Sequence, residues 1–341
     1  MILKNASDPP PVDSTQSPAR LVALDAARFL AAIAIIWQHT PESPQLKPYS
    51  SLAAFAVPFF VAASILMTIE SLRRKPDRRF APYAAARFIR IYIPFLIWTA
   101  IYLLIRNLKH SLLTGEDRVP IEPGVLISGS AHHLWFLPFL FVLSLLAFAV
   151  GQLMVGKPWL ERVIFWIALL GGTVTALMSE DRFFDYYILN RIWAATPAVL
   201  WGIALAAVYR RIPPHAWRSP ALAVISAIVL IACVPLLRLR WHAHLTENLA
   251  GFALLVLGLC ASMGSCRSPL VRRLAVLAPL AYGIYLSHVM FLEGMQAVAA
   301  RAGYKQLWWL DLLVFVFTTA AAIVFTAVVS RLRWSRWLLP S

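Results

Sequence analysis

From Leu21 onward, the chain alternates long apolar runs with short basic or polar segments. A helix that crosses the roughly 30 Å hydrocarbon core of a bilayer needs about 20 mostly apolar residues, so the pattern predicts an all-α, polytopic membrane helix bundle. The predicted spans, ten in all, are 21–39, 51–71, 87–106, 133–155, 160–178, 192–209, 220–237, 248–265, 274–293 and 309–331. The span at 220–237 is the least regular, because it contains Pro235 and ends at Arg238.

The distribution of positive charge predicts the orientation of this bundle, because cytoplasmic loops are enriched in Lys and Arg. With the amino terminus inside, twenty of the 31 Lys and Arg residues fall in inner segments and ten in outer ones. We therefore expect both termini in the cytoplasm. Residues 1–20 are polar and proline-rich, which predicts a disordered cytoplasmic tail rather than a secretory signal. The transmembrane domain is predicted at 21–333 and a second cytoplasmic tail at 334–341.

Composition excludes several classes of protein. Hydrophobic residues make up 60% of the chain and charged residues 14%, whereas soluble domains average about 45–50% and about 25%. A disordered chain, a coiled coil, a disulfide-rich secreted module and an ordinary cytosolic enzyme are excluded. The net charge of +15 indicates basic loops against an anionic leaflet rather than nucleic-acid binding. The three cysteines have no metal-site spacing, so we expect no structural disulfide and no metal.

The first span carries charged and titratable residues that are costly inside a membrane. Asp25 and Arg28 are three residues apart and share one helix face. His39 follows Arg28 by eleven residues, which places it on nearly the same face and about 16 Å further along the axis. One stripe thus joins a cation near the cytoplasmic side to an imidazole near the outer side. The alternative is a snorkelling interfacial arginine and a histidine at the rim.

A second cationic group opens the third span. Arg87 and Arg90 are three residues apart and are expected to face the same way, and Pro94 predicts a kink with a free carbonyl at Arg90. Together with the basic segment 73–79, they suit the phosphates of a cytosolic ligand, because guanidinium groups match phosphate geometry. Positive-inside anchoring is the alternative.

Further polar residues cluster near the predicted outer side. His132 and His133 begin the fourth span, and Tyr285 and His288 lie in the ninth. Each could instead be a hydrogen-bonded packing residue. Phosphate loops, dinucleotide fingerprints, HExxH metal motifs and GxSxG elbows are missing from the sequence.

Taken together, four segments resemble the acyltransferase 3 family of membrane acyltransferases. They are LDAARFLAAIAIIWQH (24–39), RFIRIYIP (87–94), HLWFL (133–137) and YGIYLSH (282–288), in the order that the family has them. One segment departs from the family pattern: PFFVAAS (58–64) stands where relatives often read FFFISGF. The fused esterase-like domain of some relatives is expected to be missing.

The resemblance implies an integral membrane O-acyltransferase in a bacterial inner membrane. Its donor would be a cytosolic acyl-CoA, commonly acetyl-CoA, and its acceptor a hydroxyl of a cell-surface or exported glycan or a lipid-linked oligosaccharide. His39 would act as general base or carry the acyl group briefly. Arg87 and Arg90 would bind the phosphates of coenzyme A, and Arg28 would bind the pantetheine–phosphate region or hold Asp25. His133 and His288 would orient the acceptor or stabilise the oxyanion, and Tyr285 is a further candidate site residue.

Two other functions remain open from sequence: a transporter or flippase of a lipid-linked sugar, and a non-catalytic scaffold within polysaccharide assembly machinery. The transporter is disfavoured because no inverted repeat is visible. Acceptor selectivity is expected in the outer loops 107–131, 179–191 and 238–247. The identity of the acyl group stays undecided.

Overall fold

The computed structural model describes residues 21–114, 124–178, 186–264, 268–304, 306–332, 335 and 337–339. Their secondary structure is helical throughout, without strands. The α-helices are α1 (Val22–His39), α2 (Ala56–Arg74), α3 (Phe80–Arg87), α4 (Ile93–Thr114), α5 (Val125–Ser128), α6 (Phe136–Met154), α7 (Pro158–Leu177), α8 (Tyr187–Val208), α9 (Pro214–Trp217), α10 (Pro220–Leu239), α11 (Ala243–Met263), α12 (Pro269–Val276), α13 (Ala281–Arg301) and α14 (Trp308–Val329). The predicted tail 1–20 and the loop stretches 115–123 and 179–185 lie outside the described residues.

Ten helical segments of the described chain are long and apolar enough to cross a membrane, which confirms the predicted polytopic bundle. Three of them are composite: a 3₁₀ helix (Lys47–Ala53) leads into α2, α3 joins α4, and α12 joins α13. The irregular span around Pro235 is the continuous helix α10. The orientation remains a prediction, so the end at which α1 begins is called here the predicted cytoplasmic end, and the opposite end the predicted outer end.

The centre of the bundle is α2, which packs against α1, α6, α8 and α11. About 67% of its span is buried, against 17% for the peripheral helices α7 and α10. Small residues let the central helices approach closely, as membrane helix packing favours. A Cβ atom on Gly251 of α11 would lie 2.7 Å from the backbone oxygen of Phe55 and 2.7 Å from the backbone nitrogen of Phe59. The contact therefore requires glycine.

The passage from α3 to α4 contains a π-helical turn at Phe88–Tyr92. A π turn spaces its hydrogen bonds i to i+5, so it holds one residue more than an α turn and rotates the side chains that follow. Pro94 comes two residues after the end of this turn and offers no N–H to the carbonyl of Arg90. The hydroxyl of Tyr282 donates to that carbonyl at 3.5 Å. The irregularity expected around Pro94 thus takes the form of a π turn.

A buried ion network holds the predicted cytoplasmic ends of α2, α7 and α8 together. Arg73 contacts Glu70 and Glu161, each at 2.8 Å, and its side chain is 6% exposed. Arg210 contacts Glu70 at 2.9 Å, and Arg211 contacts Glu161 at 2.7 Å. Each carboxylate is thus shared between two arginines, which compensates for part of the desolvation cost of burying charge.

Residues near the carboxyl terminus pack against the bundle. The backbone carbonyl of Leu338 accepts a hydrogen bond from the indole of Trp98 at 3.1 Å. Leu339 is 6% exposed and packs beside Gly283, where a Cβ atom would lie 3.1 Å from its side chain. At these residues, the segment predicted as a cytoplasmic tail belongs to the packed structure.

Candidate active site

A cavity of about 470 Å³ lies between α1, α2, α3, α6 and α13, toward the predicted cytoplasmic end. Its ionisable lining is mostly cationic, with Arg28, Arg74 and Arg87 against a single carboxylate, Asp25. Deeper in, the lining turns apolar and aromatic, with Phe60, Leu137, Leu140, Phe136 and Tyr285 among its members. The cavity therefore suits a ligand with an anionic end and an uncharged end.

Two of these arginines are held so that their terminal nitrogens stay available. The Nε of Arg74 donates to the carbonyl of Glu70 at 3.2 Å, and the Nε of Arg87 donates to the hydroxyl of Tyr83 at 3.1 Å. The guanidinium of Arg87 also lies over the Tyr83 ring, 5.2 Å from its centroid. Within the described chain, the terminal nitrogens of both side chains carry no hydrogen bond. Such anchored guanidinium forks are suited to bidentate contacts with phosphate.

The other predicted cations differ in their placement. Arg28 lines the cavity and pairs with Asp25 at 3.5 Å, as the i, i+3 spacing predicts, although its side chain is 49% exposed. Arg90 is exposed and does not line the cavity. The two arginines of the third span therefore do not share it, because the π turn after Arg87 rotates Arg90 away.

Tyr285 links the deep end of the cavity to a group of histidines. Its ring lines the cavity and lies 5.6 Å from the ring centroid of His133 and 6.0 Å from that of His288. Its hydroxyl donates to the backbone carbonyl of His133, which ties α13 to the start of α6. None of the histidines is part of the cavity lining. His288 follows Tyr285 by about one helical turn, or about 4.5 Å of axial rise.

The histidine cluster comprises His39, His132, His133 and His288, which come from α1, the segment before α6, and α13. His132 Nε2 and His39 Nδ1 are 3.3 Å apart. The ring centroids of His39 and His288 are 5.8 Å apart, and those of His133 and His288 are 5.0 Å apart. Three segments that lie at least 93 residues apart in the sequence thus bring their histidines into one compact group. The group contains the three predicted histidines, His39, His133 and His288, together with His132.

The hydrogen bonds of the cluster leave ring nitrogens available for chemistry. His288 Nδ1 donates to the carbonyl of Tyr285 at 2.7 Å, which leaves the lone pair on Nε2. That Nε2 atom and both ring nitrogens of His133 are buried without a hydrogen-bond partner in the described structure. Buried polar atoms without a partner cost stability, so their presence calls for an explanation such as a catalytic role. Burial lowers the pKa of His132, with Arg191 adding to this effect and the carboxylate of Glu293 opposing it, so its imidazole is neutral near pH 7.

A second cavity, of about 550 Å³, lies at the predicted outer end. Its polar lining comprises Glu42, Lys109, Glu293, Gln296, Arg301, Tyr304, Gln306 and Asp311. The buried carboxylate of Asp311 accepts hydrogen bonds from the backbone N–H groups of Glu42 and Ser43 and from the Ser43 hydroxyl. These hydrogen bonds fix the segment that follows His39 against α14. The same contact therefore holds both the end of α1 and one wall of the second cavity.

The family model described as an acyltransferase domain, that of the acyltransferase 3 family, matches residues 21–331. The chain belongs to the acyltransferase 3 family. It is therefore a multi-pass membrane acyltransferase, which confirms the resemblance and disfavours the transporter and the scaffold. No curated protein and no solved structure is similar enough to this acyltransferase to count as a match.

Sequence reasoning missed several residues of the acyltransferase's two cavities. Arg74 was visible only as part of a basic run, and nothing in the run distinguishes it from Arg73, which the structure places in the ion network. The lining of the second cavity comes from segments more than 200 residues apart and has no sequence signature. Within the described residues, no group of three or more His, Cys, Asp or Glu side chains is arranged to hold a metal ion.

Proposed function

We propose that this acyltransferase moves an acyl group, acetyl in the first instance, from cytosolic acyl-CoA to a hydroxyl of a cell-surface or exported glycan or its lipid-linked precursor, in a bacterial plasma membrane. One observation carries the proposal: a cationic cavity ends at Tyr285, about one helical turn from a cluster of histidines. The cavity supplies a seat for an anionic donor, and the cluster supplies the base that acyl transfer to a hydroxyl needs.

The donor end is supported by the arginines. The phosphate groups of coenzyme A match the free forks of Arg74 and Arg87, and the apolar depth suits the pantetheine arm and a short acyl group. A neighbouring depression of about 560 Å³, lined by Ser71, Lys75 and Arg78 among others, shares Arg74 with the cavity. It offers further cations for the nucleotide end of the donor. Arg90 stays a predicted contact that this placement does not favour.

The transfer step assigns one proton to His39. The acceptor hydroxyl attacks the thioester carbonyl carbon, a carbon–oxygen bond forms, and the carbon–sulfur bond breaks. With His39 Nδ1 donating to His132 Nε2, the His39 Nε2 atom is free to take the hydroxyl proton. It then returns that proton to the departing thiolate, giving coenzyme A as the free thiol. His132 would thereby orient His39, as the third group of a catalytic triad orients its base.

The remaining residues have supporting roles in this proposal. His288, with its free and buried Nε2 atom, would accept a hydrogen bond from a neighbouring hydroxyl of the acceptor and so align the attacking one, whose own proton goes to His39. His133 and Tyr285 would close the deep end of the cavity and keep bulk water from the thioester. Asp25 would hold the Arg28 side chain at the cavity lining.

The test compares His39→Ala with His215→Ala, whose side chain is exposed on the short helix α9. Purified protein is titrated with acetyl-CoA, and surface glycans from a deletion strain carrying each variant are examined by mass spectrometry for acyl esters. We expect the His39 variant to bind acetyl-CoA normally and to leave glycans unacylated, and the His215 variant to match the wild type. Normal glycan acylation by the His39 variant would refute the assigned role, and wild-type protein that does not bind acetyl-CoA would refute the donor.

A further inference from the structure

The second cavity has a different chemistry from the first. The first presents three arginines and one carboxylate, so its charged groups are mainly donors and select for anions. The second presents carboxylates at Glu42 and Glu293, amides at Gln296 and Gln306, and cations at Lys109 and Arg301. Acceptors and donors are therefore both present in its lining. A phosphate-rich ligand would meet repulsion from the carboxylates, whereas a ligand whose groups each donate and accept would satisfy both kinds of side chain.

The second cavity also approaches the histidine cluster from the side opposite the donor. Glu293 lies five residues after His288 on α13, about 7.5 Å along the helix axis, and its carboxylate acts electrostatically on His132. Glu42 lies three residues after His39, and the hydrogen bonds of Asp311 fix Glu42 and Ser43 against α14. A ligand in this cavity would thus lie near His39, which receives the proton, and on the far side of the cluster from Tyr285.

We propose that the second cavity is the acceptor site and that it binds a sugar residue through hydrogen bonds with Glu293, Gln296 and Arg301. The inference rests on the proposed function and deepens it by assigning the place and the polar recognition of the acceptor. Sugar hydroxyls both donate and accept, so a carboxylate, an amide and a guanidinium around one sugar ring satisfy them as a set. Asp311 shapes the wall, because its oxygens are already engaged by the backbone.

In this proposal the two cavities bind different substrates. The acyl group would arrive through the cationic cavity and the hydroxyl through the mixed-charge cavity, and they would meet at His39 and His288. A site built to hydrogen-bond hydroxyls discriminates strongly against ligands that lack them, because its polar groups are then left unpaired. The sugar could come from a finished polymer or from a lipid-linked precursor, since both present the same hydroxyls.

The experiment uses the glycan itself as the probe. Polymer and lipid-linked fractions are extracted separately from the deletion strain and offered to purified protein with labelled acetyl-CoA. The variants are Glu293→Gln, Arg301→Ala and the double variant that carries both substitutions. The double variant has the net charge of the wild type, because it loses one negative and one positive side chain. Arg106→Ala is the control, because Arg106 is exposed on α4 outside both cavities. We expect the cavity variants to raise the KM for the glycan at least tenfold, with kcat within threefold and the Kd for acetyl-CoA within twofold of wild type.

A second measurement separates this inference from the proposed function. Saturation-transfer NMR detects binding of the extracted glycan fragments to the protein without any acetyl-CoA, and we expect wild type and the control to bind and the double variant to lose the signal. The fraction that binds identifies the source of the sugar. An unchanged KM and an unchanged NMR signal in the double variant would overturn the acceptor site even where acetyl-CoA binding is intact. Failure of wild type to bind acetyl-CoA, with glycan binding retained, would refute the donor alone.

Discussion

Replacing Arg87 with alanine tests whether the cationic cavity binds the donor. The Nε atom of Arg87 is engaged by the hydroxyl of Tyr83, which leaves two terminal nitrogens for a phosphate. A hydrogen bond to a charged group contributes about 1.5–3 kcal/mol. Since Arg87 is only partly buried, we take that range for the whole side chain rather than for each bond. At about 1.4 kcal/mol per factor of ten, the Kd for acetyl-CoA should rise by about 10- to 150-fold.

The comparison is Arg90→Ala, which removes the same group three residues further along. Arg90 is exposed and outside the cavity lining, so we expect its variant to weaken binding by less than threefold, through long-range attraction alone. Isothermal titration of detergent-purified protein with acetyl-CoA measures both. Raising the salt concentration should weaken wild-type binding more than that of the Arg87 variant, because the contact that the substitution removes is partly screened by ions.

Equal losses at Arg87 and Arg90 would refute this reasoning. They would indicate that the basic surface attracts the donor as a whole and that the fork at Arg87 has no special role. An additional substitution, Arg87→Lys, separates charge from shape. A lysine keeps the charge and loses the bidentate geometry, so it should recover only a small part of the lost affinity.

Three other outcomes are expected. Gly251→Ala should destabilise the protein by about 1–3 kcal/mol through a clash with the backbone at the start of α2. Gly294→Ala, with open space around it, should stabilise α13 by up to about 1 kcal/mol. Thermal unfolding in detergent measures both, and equal effects would contradict the packing argument. Glu70→Gln should lower the free energy of unfolding by about 3 kcal/mol. This is the lower end of the range for a broken buried ion pair, because Arg73 keeps its contact with a second carboxylate, Glu161. An unchanged melting temperature would show that the network contributes nothing to stability. The pKa of His132 is lowered in the folded protein from its ordinary value of 6.5, so just below that pH the unfolded chain binds more protons than the folded one. Stability should therefore fall as pH falls through 6.5. His132→Asn should reduce that dependence when unfolding is followed between pH 5 and 8.

The architecture could be predicted from the sequence because bilayer thickness dictates helix length. Ten apolar runs became ten spanning segments, and even the run with Pro235 is a single helix. The weaker predictions were the ends of these segments. The helical segment of the third span begins at Phe80 rather than at 87, since the alanine-rich stretch before Arg87 is helical as well. Hydropathy measures what lies in the hydrocarbon and carries little information on what extends beyond it.

Spacing along one helix predicted part of the site, and the family resemblance singled out further residues on different helices. The pairing of Asp25 with Arg28 follows from their spacing, and the three predicted histidines do come together. The positions of Arg74 and Arg90 depend on which way a helix is rotated against its neighbours, which tertiary packing decides. The second cavity draws on α1, α4, α13 and α14 at once, and one sequence without pairing information cannot reveal such a convergence.

The single turn at Phe88–Tyr92 has a wider consequence for how this donor site can change. Because that turn holds one residue more than an α-helical turn, deleting one residue there would return the helix to regular winding and leave the helix after it in register. Only the side chains within the turn, Arg90 among them, would change the direction in which they point. The charge offered to the donor therefore depends on the winding of this one turn, and a one-codon deletion there could alter ligand preference in a single step.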